Sequence, residues 1–178
     1  VVAGAGMAGL TASNASIGLG LGNESFPSGT SPTATDAYSA SGWTTTSSVD
    51  ANDYFEFCIT ANAGYVLDLS NFRFDAQRSN TGAMSYQVAV STDGGAFVNV
   101  GAAGTVGTSF AAKTQALSVS NASIVCVRIY GFSSTGATGT LRIDNVVLTG
   151  AAKPLLPANC KFYTVDPAAN PGAIPVAT

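Results

Sequence analysis

Tyr65-Val-Leu-Asp-Leu-Ser-Asn-Phe-Arg-Phe-Asp-Ala-Gln-Arg78, followed after a polar Asn-Thr-Gly break by Ser85-Tyr-Gln-Val-Ala-Val-Ser-Thr-Asp-Gly-Gly95, is the stretch that decides the fold class. Phe72, Phe74 and Ala76 share one parity and Arg73, Asp75 and Gln77 the other. A period of two is what a strand shows when only one of its faces is buried. Tyr86, Val88 and Val90 repeat the alternation, and Asp93-Gly94 is a hairpin turn signal ahead of Phe97 and Val98. The stretch reads as a β-meander with one face on a core.

The same alternation recurs on both sides. Phe55, Phe57 and Ile59 oppose Tyr54, Glu56 and Cys58; Val125, Val127 and Ile129 oppose Cys126, Arg128 and Tyr130. Leu141 and Ile143, then Val146 and Leu148, form an inward set whose parity flips at Asp144-Asn145, which implies a β-bulge there or burial on both faces. The Gly/Ala/Thr-rich run from Ala102 to Lys113 reads as a loop, with a short strand at Gln115 to Val119. Asn23 to Asp53 reads as a long surface loop with a short strand near Trp43, whose aromatics Phe26, Tyr38 and Trp43 pin it to the body or, in a sugar-binding module, stack on pyranose rings. No segment carries a helical apolar stripe. Short strands with turn signals at close intervals imply an all-β sandwich or barrel.

Composition narrows the function. Charged residues are 10% of the 178-residue chain, against about 25% in an average protein. With 46% apolar residues the chain is not a disordered one. The net charge is −3 and the few Lys and Arg are scattered, so nothing neutralises a run of phosphates and nucleic acid is excluded as a partner. No apolar run approaches the roughly 20 residues of a membrane-spanning helix. Sparse charge also leaves little repulsion between copies, which favours self-association.

Histidine is absent, which removes the commonest general base and the commonest metal ligand. Val1 to Gly9 contains a Gly-x-Gly-x-x-Gly pattern, but no helical stripe follows it, so a dinucleotide site is not expected. The carboxylate pairs Asp50 with Asp53 and Asp75 with Asp144 could serve glycoside hydrolysis only in a cleft, for which the sequence offers no sign. The expectation is a protein that is not an enzyme and holds no cofactor. Asn14-Ala-Ser, Asn23-Glu-Ser and Asn121-Ala-Ser fit the N-glycosylation acceptor pattern.

The cysteines are Cys58, Cys126 and Cys160, an odd set. Cys58 and Cys126 share the outward parity, which permits a bridge if their strands are neighbours. Cys160 is then left for a partner, or pairs with one of them and frees the other. Three unpaired thiols are the remaining possibility.

Asn71-Phe-Arg-Phe-Asp-Ala-Gln-Arg-Ser79, Val90-Ser-Thr-Asp-Gly94, Val127-Arg-Ile-Tyr-Gly131 and Gly139-Thr-Leu-Arg-Ile-Asp-Asn-Val-Val-Leu-Thr-Gly150, in that order, resemble a bacterial exported domain family. Its members occur in secreted or surface-anchored proteins with C-terminal sorting signals, and more distant relatives include carbohydrate-binding modules. The resemblance covers about residues 10 to 150 and implies a jelly-roll β-sandwich of two antiparallel sheets over residues 1–150, followed by an extension over 151–178. Among Asp75, Arg78, Arg142 and Asp144, the polar residues that stand out, Asp144 sits where related sugar-binding jelly rolls hold a structural calcium, against which stands an Arg–carboxylate network fixing the bulge. Relatives carry a strand ahead of the segment matching Leu10-Thr-Ala-Ser.

The tail adds a strand-like Lys161-Phe162-Tyr163-Thr164-Val165. A sandwich short of one strand, with a spare one on its tail, invites donation of Lys161–Val165 to an identical neighbour, head to tail, into a filament or surface layer. The chain is expected outside the cell or on its surface, its signal peptide removed. The alternative is a carbohydrate-binding or adhesive module whose partner is a polysaccharide.

Overall fold

The computed structural model describes residues 8–29 and 37–155. The described residues form eleven strands and no helix: β1 (Leu10–Ala12), β2 (Ser16–Ile17), β3 (Gly22–Ser25), β4 (Tyr38–Ser41), β5 (Tyr54–Ala61), β6 (Tyr65–Arg78), β7 (Ser85–Thr92), β8 (Val98–Thr105), β9 (Ala111–Ala122), β10 (Ile124–Phe132) and β11 (Thr140–Pro154). One antiparallel sheet has the order β1-β5-β10-β7-β8, with β2 also on β5; the other has the order β3-β4-β11-β6-β9. From β5 onward the chain passes repeatedly between the two layers. The result is a two-sheet jelly-roll β-sandwich.

The expected meander is corrected by this topology. β6 lies between β11 and β9, whereas β7 lies between β10 and β8 in the opposite sheet. Only β7 and β8 are hairpin partners. An inward-facing Phe74 and an inward-facing Val88 look alike in sequence whichever layer they line, so alternation does not separate a hairpin from a crossover. At the β7–β8 turn, Asp93 and Gly94 have φ of 53° and 77°, the two left-handed residues that a type I′ turn needs.

The inward sets are those that parity assigns. Phe55, Phe57, Val125, Val127, Ile129 and Val88 from one sheet meet Leu67, Phe72, Phe74, Leu141 and Ile143 from the other, all buried. Each large side chain removed from water contributes about 2–3 kcal/mol before the entropy of ordering it is counted. β4 is buried at all four positions and ends two residues before Trp43. Its Ser39 and Ala40 are small enough to be covered on both faces, which is why no alternation shows there. Trp43 is 1% exposed and donates from Nε1 to the Ala40 carbonyl at 2.8 Å, so it anchors its loop in the core.

Two strands run longer than the sequence suggests. β8 and β9 occupy most of the segment read as a Gly/Ala/Thr loop, because small residues pair by backbone while showing no bulky alternation. β11 continues to Pro154, pairing Ala151 to Pro154 with Asp68 to Tyr65, and so carries on past residue 150. Its register shifts between Asp144 and Val147, which makes the parity flip there a bulge, and Asn145 has φ of 48°.

Candidate functional site

The outward parity of the first sheet brings together side chains that are far apart in sequence. β5 and β10 pair Tyr54 with Tyr130, Glu56 with Arg128 and Cys58 with Cys126. Across β10, Arg128 stands opposite Ala89 of β7, and Ala89 stands opposite Asn99 of β8. Directly paired residues share a face. Thus one row of four strands, about 14 Å across at ordinary strand spacing, carries Glu56, Arg128, Ala89 and Asn99.

Arg128 is the centre of this face. Its guanidinium carbon lies 3.7 Å from the centre of the Tyr54 ring and 3.9 Å from that of Phe97, which follows the β7–β8 turn. Its Nε donates to Glu56 Oε2 at 2.7 Å, and a terminal nitrogen lies 3.4 Å from the Tyr130 hydroxyl. Tyr54 meets Tyr130 edge to face at 5.8 Å between ring centres. Burial works against the Arg128 charge, but the hydrogen bonds to Tyr130 and Glu56 outweigh it and raise its pKa above the usual arginine value. A guanidinium stacked against two rings and bonded to a carboxylate is fixed in position before any ligand arrives. Next to it, the Gln87 amide donates to the Val88, Val100 and Gly101 carbonyls, so that side chain braces β7 and β8.

Cys58 and Cys126 form the next outward-facing pair along the same strands, beyond the inward Phe57–Val127 pair, and are joined as a disulfide with Cα atoms 4.1 Å apart. That spacing belongs to an antiparallel pair whose two residues are not hydrogen-bonded to each other, where side chains come closest. The disulfide ties the two strands that present Tyr54, Glu56, Arg128 and Tyr130. Cys160 lies outside the described residues, as does the Lys161, Phe162, Tyr163, Thr164, Val165 segment.

The polar residues singled out in the sequence sit elsewhere. Asp75 bonds to Arg73 at 2.9 Å and accepts from Asn145 Nδ2 at 2.8 Å, on the outer face of the second sheet. Asp144 stands opposite Asp75 in the β6–β11 register, and its Oδ1 accepts from the Asn145 amide at 2.7 Å. This is an Arg–carboxylate–Asn cluster holding the bulge. Among the described residues, no three His, Cys, Asp or Glu side chains gather as a metal site. Arg78 donates to the Val106, Ser79 and Asn80 carbonyls and fastens a crossover. Arg142 stands between Ser39 and Gln77 in register, on the same sheet as Asp75.

Asp50 and Asp53 are both engaged by backbone. Asp50 Oδ1 accepts from Asn52 N at 2.9 Å and Asp53 Oδ2 from Thr44 N at 2.6 Å. Burial raises the Asp53 pKa, the Thr44 amide lowers it, and the Asp50 charge raises it again, for a net upward shift. Both carboxylates shape the loop around Trp43.

The sequence reading placed Tyr54, Glu56, Arg128 and Tyr130 at outward positions without reading them as a site. The available signal was two tyrosines and an opposite-charge pair on the solvent parity of strands otherwise poor in charge. Phe97 gives no such signal, since its approach to Arg128 depends on the fold of the turn.

The chain matches no protein-family model, and no curated protein matches it. Solved structures of similar fold include a family 4 carbohydrate-binding module (12% identity, 65% of this chain and 71% of that one, TM-score 0.49). A family 22 xylan-binding domain from Paenibacillus barcinonensis gives 13% identity over 82% of this chain and 88% of that one, with a TM-score of 0.48. A family 29 carbohydrate-binding module mutant gives 13% identity, 74% and 78% coverage, and a TM-score of 0.45. At these values the likeness concerns the fold and says nothing of a ligand.

Proposed function

We propose that this chain is a non-catalytic carbohydrate-binding domain that takes a polysaccharide on the outer face of the β5-β10-β7-β8 sheet. The observation that carries the reading is the Tyr54–Arg128–Phe97 stack, with Glu56 and Tyr130 bonded to it. A pyranose ring offers apolar C–H faces and a rim of hydroxyls. Aromatic faces suit the first; a guanidinium, a carboxylate and the Asn99 amide suit the second. An open, strand-crossing surface fits a polymer chain better than a small ligand, which would need an enclosed pocket.

The domain acts outside the cytoplasm in this reading. The Cys58–Cys126 bridge persists in an oxidising compartment, where polysaccharides of walls and matrices are found. Binding needs no bound metal and no chemical step.

The test is retention on a panel of insoluble polysaccharides, using the native chain beside Tyr54→Ala, Phe97→Ala and, on the other sheet, Arg73→Ala. Retention of the native chain, with a loss of at least about tenfold in affinity for the first two variants and none for the third, is the expected result. Failure of every polysaccharide to retain the native chain, or equal loss in all three variants, would refute it. Circular dichroism confirms that each variant is folded.

A further inference from the structure

The sandwich is open along one side. β8 ends the first sheet and β9 ends the second, and a cleft of about 510 Å3 lies between them. That volume is in the range of pockets that hold a small molecule. Val90, Val98, Val100, Leu117 and Val119 form its apolar walls. Val98 pairs with Val90 and Val100 with the fully buried Val88, so both turn toward the opposite sheet, yet Val98 is 67% exposed. Water therefore meets an aliphatic surface that belongs to the inside of the sandwich.

The inward side of β9 changes character along its length. Gln115 pairs with Phe72 and Lys113 with Phe74, and both phenylalanines are buried, so these two polar side chains turn inward beside Leu117. Lys113 reaches toward the other sheet, its Nζ 5.8 Å from the centre of the Tyr86 ring. Gln115 lies against Gly101 of β8, where a Cβ would collide with the Gln115 Oε1. Both side chains are half-buried. Among the described residues Lys113 enters no ion pair and the Gln115 amide no hydrogen bond. An ammonium and an amide without an acceptor, at one end of an apolar cleft, are donors set for an anionic group.

The walls decide which anion. The lining holds no aromatic ring and no charge, so it lacks the flat faces on which a sugar stacks. Branched aliphatic side chains suit a flexible alkyl chain instead. β9 rises about 20 Å from Lys113 to Val119, which gives a long, narrow site with its cation at one end. We propose that the β8–β9 cleft binds an aliphatic carboxylate of the fatty-acid class. Lys113 and Gln115 take the carboxylate, and the alkyl chain lies along Val100, Leu117, Val119 and Val98. The site is on the side of the sandwich, apart from the Tyr54–Arg128 face, and does not depend on the polysaccharide reading.

The experiment titrates the 15N-labelled full chain with sodium decanoate below its micelle concentration, and in parallel with decyltrimethylammonium, which has the same chain and the opposite charge. Decanoate is expected to give saturable shifts at the amides of Val98, Val100, Leu117 and Val119, and the cation to bind at least about tenfold more weakly. Lys113→Gln should abolish that preference while leaving the alkyl contacts. Val98→Asp, at a position exposed enough to accept the change without unfolding, should weaken decanoate by about tenfold or more. No saturable shift at these amides, equal affinity for the two amphiphiles in the native chain, or a preference that survives Lys113→Gln would overturn the proposal. Flotation of the chain with phosphatidylglycerol vesicles in place of decanoate binding would mean that the cleft reads a lipid surface, which also overturns it.

Discussion

Replacing the bridge by Cys58→Ser/Cys126→Ser tests how the binding face is held. The two cysteines are 68 residues apart in sequence. In the chain-entropy account, a loop of that length removes about 15 cal/mol/K from the unfolded chain, which is about 4 kcal/mol at room temperature. Backbone pairing already aligns β5 and β10 over seven residue pairs from Ile124–Thr60 to Tyr130–Tyr54, so the native state should accommodate the serines with little rearrangement. With a urea dependence of about 2 kcal/mol/M, the unfolding midpoint should fall by about 2 M. Emission of the single tryptophan, Trp43, reports the transition because that side chain is 1% exposed when folded. A phosphine reductant should produce the same drop in the native chain and none in the variant. A midpoint within about 0.3 M of the native one, or peptide mapping that finds Cys58 bridged to Cys160, would refute the reasoning.

Three further outcomes follow from particular contacts. A Cβ at Gly131 would sit 2.5 Å from the Trp43 ring, so Gly131→Ala should destabilise by about 1–3 kcal/mol and shift Trp43 emission. Asp68 accepts from Lys153 at 2.6 Å and from the Asn121 amide at 2.8 Å, and these bonds, Lys153 first, hold its pKa below the usual carboxylate value. A depressed folded-state pKa gives stability present above the unfolded value and lost as pH falls through the folded one; the gap in urea midpoint between the native chain and Asp68→Asn should therefore be widest near neutrality and close below about pH 4. Because Trp43 is buried and bonded to Ala40, a bound polysaccharide should leave its emission unchanged, and a ligand-dependent shift would place the ligand on that loop instead.

How far the molecule could be read from sequence depends on what each residue type reveals. Phe55, Phe57, Phe72, Phe74 and Ile129 are bulky and regularly spaced, so parity assigned them inward and they are buried. The flip at Asp144-Asn145 likewise marked the place of the bulge in β11. Parity carries no information about which layer a strand joins, so alternation alone does not separate β6 and β7 into opposite sheets. The full lengths of β8 and β9 leave no periodic mark, because glycine, alanine and threonine show no contrast between faces. The site was legible in halves: Tyr54 with Glu56, and Arg128 with Tyr130, stood at outward positions, but only the register sets Glu56 opposite Arg128. Phe97 reaches the guanidinium through a left-handed turn that no periodicity describes.

The most direct test is an amide shift map of the 15N-labelled chain titrated with soluble fragments of whichever polysaccharide retains it. The account predicts that the largest shifts fall on Tyr54, Glu56, Phe97, Asn99, Arg128 and Tyr130. Shifts concentrated on Arg73, Asp75 and the outer face of the other sheet, or on the loop around Phe26 and Trp43, would contradict it.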